Sequence, residues 1–195
     1  MACPYCYNPH IVRDNGNISL DEALEFLQNR QGRLDSVVLS GGECTLYPHL
    51  EAFCEAIKAL DYKIKIDTNG SNPELLRSLI ENSLVDYIAL DYKAPYYKYT
   101  ELTHYRHFER FEQSLNLLIR SYLPFEVRTT LHSDLLTHAD INAIIEDLHK
   151  KEYLGTYYLQ NYLHVEPTLG ATKKQQNQFD LSQLTPLLPI ELRNF

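Results

Sequence analysis

Two cysteines, Cys3 and Cys6, stand at Cys-x-x-Cys spacing in "MACPYCYNPH", almost at the start of the chain. Zinc asks for four such donors and an iron–sulfur cluster for three or four thiolates. Only Cys44 and Cys54 remain to complete a site, so the pair alone suits zinc, a cluster or idle thiols. More chemistry lies downstream in short polar groups: "SGGE" ending at Glu43, "DTNG" beginning at Asp67, and "DYK" beginning at Asp91. Arg128, followed by His132, Ser133 and Asp134, and then Gln160 with Asn161 continue the series. Glycines let backbone approach a ligand closely, and carboxylates with an arginine fork position a charged one.

Each polar group ends or follows a short β-branched run: "DSVVLSGG", "YKIKID", "VDYIALD", "FEVRTTL" and "TYYLQNYL". Helical patterns alternate with these runs. Ser19 and Glu22 form a capping box for a helix to about Asn29. "YPHLEAFCEAIKAL" places Leu50, Phe53, Cys54, Ile57 and Leu60 on one face, which makes Cys54 a core residue. "NPELLRSLIE" starts with Asn72 as cap and Pro73 at the first position. A fourth helix carries a stripe of Phe108, Phe111, Leu115, Leu118, Ile119 and Tyr122. "ADINAIIEDLHKK" turns Ile141, Ile144, Ile145 and Leu148 inward. Strict β–α alternation predicts a parallel sheet with right-handed crossovers. Ligands of such folds sit at the C-terminal strand ends, so five polar clusters at five consecutive strand ends describe one ring-shaped site. Taken singly, a Gly or Asn after a strand means only a turn.

The 195 residues suit one domain, 1–195, with the tail after about Thr168 unassigned. Hydrophobic residues make up 44% and charged ones 23%, and no apolar run approaches a membrane span. A net charge of −8 argues against a nucleic-acid binder. Four cysteines without framework spacing fit a reducing cytoplasm, the expected location. The tyrosine-rich "APYYKYTELTHY" reads as an interface or as loop packing, and as a place where a partner could dock.

"CPYCYNP" and "SGGECT", supported by "DTNG", "VDYIALDYKAP" and "RTTLH", resemble the radical S-adenosylmethionine (SAM) superfamily, from Cys3 to about Gln160. Within it, the sequence is most similar to activases of glycyl-radical enzymes, those of anaerobic ribonucleotide reductase and pyruvate formate-lyase. The fold implied is a partial (β/α)6 TIM-like barrel of the radical SAM type with its first strand missing. The family's motif is Cys-x-x-x-Cys-x-aromatic-Cys; Cys3, Tyr5 and Cys6 match its last two cysteines and its aromatic. Its first cysteine would precede Met1. The expectation is therefore a late start or a truncated chain, with two thirds of a 4Fe–4S site, an untethered cysteine loop and no activity as written.

The resemblance further implies that the cluster cleaves SAM to a 5′-deoxyadenosyl radical, which takes hydrogen from a glycine Cα of a partner enzyme. Flavodoxin or ferredoxin is the implied reductant, with no nucleic acid and no membrane involved. Gly41, Gly42 and Glu43 would meet the methionine amino group, and the Tyr5 backbone the adenine. Asp67, Thr68 and Asp91 would hold a monovalent cation beside SAM. Lys93 and Arg128 would neutralise its carboxylate or, as an alternative, pair with Asp67 and Asp91. Asn69 and His132 would reach the ribose or methionine end. Cys44 stands where the family has proline, as a small buried residue or a substitute ligand. Other small radical SAM enzymes, such as 7-carboxy-7-deazaguanine synthase, and a degenerate zinc-binding or interaction domain remain as alternatives.

Overall fold

The computed structural model describes residues 1–6, 8–13, 16–170, 172–177 and 179–195. Six parallel strands lie side by side in chain order: β1 (Ser36–Leu39), β2 (Lys63–Thr68), β3 (Tyr87–Asp91), β4 (Phe125–Leu131), β5 (Tyr157–Asn161) and β6 (Ile190–Arg193). The helices are α1 (Pro9–Arg13), α2 (Leu20–Gln28), α3 (Leu50–Ala59), α4 (Pro73–Glu81), α5 (Tyr96–Thr103), α6 (Phe108–Arg120) and α7 (His138–Lys150). The sheet is not closed, and its unpaired edges are β1 and β6. This is the expected partial barrel.

Alternation along the strands gives the sheet two unlike faces. In β2, "KIKIDT", Ile64 and Ile66 are fully buried. Register places them beside Ile88, Leu90, Val127 and Leu159 under the helices. Lys65, Asp67, Asp91, Glu126, Arg128 and Gln160 share the opposite face. A one-residue slip would drive Lys65 and Asp67 into the apolar layer, so the pattern fixes the register. The helices start where their caps stop competing backbone geometry. The Ser19 hydroxyl accepts from Glu22 N, and Thr137 makes the same reciprocal box with Asp140. Asn72 accepts from Leu75 N ahead of Pro73.

Three local expectations are corrected. Tyr122 lies beyond α6 and is fully exposed, because the helix ends at Ser121 ahead of Pro124, which disfavours helical geometry before it. The tyrosine-rich segment forms α5, burying Tyr99, Leu102 and Thr103 while leaving Tyr96 and Tyr97 exposed. The tail contributes a sixth strand: Phe179, Leu181, Leu184 and Leu188 pack on the core, and Phe179 stacks on His138 at the start of α7. No helix is long and apolar enough to cross a membrane among the described residues.

Candidate functional site

Parallel order brings every strand's C-terminal end to the same rim. There the chain encloses a cavity of about 520 Å³, whose wall includes Glu43, Asp67, Asp91, Arg128 and Gln160. The polar groups expected at five strand ends therefore meet in one place. Gly41, Gly42, Thr68, Asn69, Lys93 and Asn161 also line it, and the loop carrying Cys3, Tyr5 and Cys6 closes one side. Small-molecule sites span roughly 300–1,000 Å³, so the cavity can take a nucleoside-sized ligand.

The charges at its floor neutralise one another. Arg128 Nε donates to Asp91 Oδ1 at 2.5 Å, and its Nη2 lies 3.2 Å from Asp67 Oδ2. Lys93 Nζ donates to Asp91 Oδ2 at 2.9 Å. Burial is the largest influence on Asp91 and pushes its pKa up, but Lys93 and Arg128 together outweigh it and hold the carboxyl below its ordinary value. Burial likewise works against the Lys93 ammonium, and the Asp91 charge reverses that, raising its pKa. The ion-pair alternative for these two cations is thus the observed one. Arg128 has its fork committed, whereas Lys93 spends one of three donors on Asp91.

Glu43 is held as firmly. Its Oε1 accepts from Thr45 Oγ1 at 2.6 Å and Thr68 Oγ1 at 2.7 Å, and its Oε2 accepts from Asn69 N at 2.7 Å. These bonds fix the "SGGE" turn to the end of β2. Gly41 has φ +141°, a backbone that side chains rarely adopt, and Gly42 has no close neighbour: a Cβ there would find Val12 Cα at 3.6 Å. The glycine strip lines the cavity as bare backbone, with Ile11 and Val12 of α1 at van der Waals distance from any side chain that replaced it.

Polar atoms are left over in this wall. The Tyr5 hydroxyl and Asp67 Oδ1 are buried without hydrogen-bond partners, the latter with only Lys65 Nζ at 3.4 Å. Buried unpaired groups of this kind are costly unless a ligand meets them.

Of the cysteines, Cys3 and Cys6 line the cavity, and Cys6 N donates to Cys3 O at 3.1 Å to close their turn. Burial, opposed by the Lys93 charge, raises the Cys3 pKa. Cys44 points elsewhere: its thiol reaches the carbonyls of Leu39 at 3.6 Å and Asp67 at 3.5 Å, and burial pushes its pKa up to about 12. It is the small, inward residue and not a substitute ligand. Cys54 is fully buried in the core, as expected. The loop expected to be untethered is tied down, since Ala2 N donates to Thr103 O at 2.9 Å and Tyr99 donates to Met1 Sδ at 3.6 Å.

Two further expectations fail on geometry. His132 is buried and outside the cavity wall, its Nε2 lying 2.9 Å from Lys173 O. Asp67 and Asp91, expected to hold a monovalent cation, are matched instead by Arg128 and Lys93, while the Thr68 hydroxyl serves Glu43. No set of three or more His, Cys, Asp and Glu able to hold a metal ion forms among the described residues. Thr130, Leu163 and Val165 line the cavity without having been singled out. Thr130 lies two residues past Arg128 on the same strand face, a signal alternation could have supplied; the aliphatic pair carries none.

Comparison with known proteins places this arrangement. A family model described as the radical SAM superfamily matches residues 1–156. A provisionally named glycyl-radical enzyme activating enzyme of Methanocaldococcus jannaschii is 31% identical over 156 residues, 74% of this chain and 62% of that protein. The 7-carboxy-7-deazaguanine synthase of Neisseria meningitidis serogroup B is 30% identical over 96 residues, 49% of this chain and 40% of that enzyme. The chain thus spans less than two thirds of the length of either relative. Among solved structures, Streptococcus suis SuiB bound to SAM superposes with a TM-score of 0.72 at 16% identity, covering 99% of this chain and 47% of SuiB. That likeness speaks for the fold.

Proposed function

The chain belongs to the radical SAM superfamily, whose members use a 4Fe–4S cluster and SAM, and from that premise we propose that it activates a glycyl-radical enzyme by installing a glycyl radical on it. The observation that carries this reading is one cavity holding Cys3, Cys6, the Gly41–Gly42–Glu43 strip and the Asp67–Asp91–Lys93–Arg128 set. The M. jannaschii relative supports the activase branch. Flavodoxin or ferredoxin is the proposed electron donor.

The residues fit SAM. Three carboxylates against two cations leave the wall net negative, which suits a ligand carrying a sulfonium and an ammonium. Lys93 has donors to spare for the carboxylate, and the bare glycine strip admits the methionine backbone. Glu43, already oriented by Thr45, Thr68 and Asn69, can take the ammonium without reorganising. The fit to the cluster is incomplete: this chain's cysteines bring two thiolates to the cavity where a site-differentiated cluster takes three. When bound, the cofactors supply reductive cleavage of a sulfonium to a carbon-centred radical. The protein's part is to hold the ligand in this orientation and, with the aliphatic side chains of Val12, Leu163 and Val165 at the cavity, to keep water off it.

The first test is calorimetry with SAM on the wild type and on Gly42→Val. A Cβ at Gly42 would already touch the Val12 and Ile11 backbone at 3.6 and 3.7 Å, so urea unfolding is measured alongside to separate lost fold from lost binding. SAM affinity should fall about ten-fold or more, roughly 1.4 kcal/mol. Equal heats would remove the glycine strip from the site. The activase step is tested by electron paramagnetic resonance of a candidate glycyl-radical enzyme after incubation with the reduced, reconstituted protein and SAM. A glycyl radical is expected in samples whose measured iron content shows a complete cluster; production of 7-carboxy-7-deazaguanine in a parallel assay supplied with that synthase's substrate would replace this reading with the second one.

A further inference from the structure

The irregular segment after β5 makes contacts that the proposed function does not use. One end is sewn to the strand-end loops. Asp134 N donates to His132 Nδ1 at 3.3 Å, which leaves the ring proton on Nε2 to donate to Lys173 O at 2.9 Å. Ser133 Oγ donates to Asn177 O at 2.6 Å, and Gln175 Nε2 donates to Asn161 Oδ1 at 2.8 Å. The other end grips the cysteine loop by backbone alone. Leu169 N donates to Cys6 O at 2.8 Å, and Gly170 N donates to Pro4 O at 2.9 Å. Between the two ends, Thr172 N donates to the side chain of Thr168 at 2.7 Å.

Gly170 stands at the closest approach. A Cβ there would fall 2.6 Å from Pro4 Cβ and 2.7 Å from Pro4 Cα. Non-bonded carbon atoms do not approach so closely, and the obstacle is the Pro4 ring carbon and Cα, which cannot rotate away. The backbone of Gly170 is not left-handed; what this position needs is absence of volume. The strain of any larger residue is delivered to the residue between Cys3 and Tyr5.

We infer that residues 168–170 and 172–177 form a strap that positions the Cys3–Cys6 loop against the cavity, with Gly170 as the positioning residue and His132, just past β4, as the strap's anchor. The importance of that position rests on the reading of Cys3 and Cys6 as cofactor ligands. The strap itself is measurable without it, on the protein free of cofactors.

The experiment is residue-resolved alkylation with iodoacetamide, read by mass spectrometry at one pH. Cys3 reports on the loop and Cys54, fully buried on the inner face of α3, reports on global opening. Gly170→Ala should alkylate at Cys3 at least ten-fold faster than wild type, with Cys54 unchanged. His132→Ala, which frees the far end of the strap, should act in the same direction, and it carries the test if the glycine variant does not fold. Wild-type rates at Cys3 would overturn the strap. So would parallel acceleration of Cys3 and Cys54, since that marks loss of fold. Accelerated Cys3 in the variants, together with a wild type that does not bind SAM, would sink the proposed function and leave the strap standing.

Discussion

Arg128 shows how a single residue of the cavity wall can serve the site by holding its neighbours. Its guanidinium joins Asp91 on β3 to Asp67 on β2, with about 14% of the side chain exposed. Removing one member of a buried pair leaves an uncompensated charge, so Arg128→Ala should lose about 2–4 kcal/mol at neutral pH, measured by urea unfolding. The pH dependence identifies the cause. In the wild type the Asp91 pKa is held below its ordinary 3.8, so its contribution is present above that value and is lost as pH falls through the folded one. Without Arg128 only Lys93 opposes burial, the folded pKa rises, and acidification costs the variant less. The stability gap should therefore narrow as the pH falls toward and below 3.8. A constant gap would assign Arg128 a packing role alone.

At the scale of elements, the turns between strands and helices decide where the site's groups stand. Gly70, between β2 and α4, has φ +72°, and a Cβ there would lie 2.9 Å from Leu90 Cδ1 and 3.1 Å from Phe111. Its carbonyl accepts from Ser114 Oγ at 2.7 Å, so α6 packs directly on the turn. Gly70→Ala should cost about 2–4 kcal/mol, roughly 1 from the backbone and the rest from overpacking. It should also weaken SAM binding, because the neighbouring Asn69 N steadies Glu43. Gly32→Ala is the control: φ +73° with nothing within 4 Å, hence the backbone cost of about 1 kcal/mol alone. Equal losses in the two variants would mean that α6 does not press on the turn. The clusters at the strand ends were legible because alternation in runs such as "KIKIDT" declares both the strand and its polar face. The strap was not, since Leu169 and Gly170 act through backbone N–H groups that every residue but proline carries. His132 was legible as a strand-end polar group, but its partner, the Lys173 carbonyl, lies 41 residues away with no pattern to announce it. Strand β6 was hidden because no α-helix leads to it among the described residues, and the Leu- and Pro-rich stretch before it lacks any period.

Across the whole molecule, the open barrel is held on its charged face by Glu126, which collects cations from strands on both sides. Arg193 of β6 donates to it at 2.8 Å and 3.1 Å across β5, stacking on Tyr158 as it passes. Lys65 of β2 comes within 3.7 Å across β3, where the small Ala89 is Glu126's register partner. Burial pushes the Glu126 pKa up, and Arg193 with Lys65 and Arg128 more than reverses it. The partners differ in exposure: the Glu126 side chain is 6% exposed, Arg193 35% and Lys65 31%. Removal of the acid lets its cations turn to water, whereas removal of a cation strands the acid. Glu126→Gln should accordingly cost about 1 kcal/mol or less, because half-exposed cations rehydrate readily. Arg193→Ala should cost about 2–3 kcal/mol, because the carboxylate stays buried with Lys65 at longer range. SAM binding should change little in either, since Asp91, Lys93 and Arg128 keep their shorter pairs of 2.5–2.9 Å while Glu126 reaches Arg128 only at 4.0 Å. Urea unfolding of the two variants decides it: a loss for Arg193→Ala as small as that for Glu126→Gln would mean that the β4–β6 link is an ion pair of little consequence, and that the apolar face alone holds the last strand to the sheet.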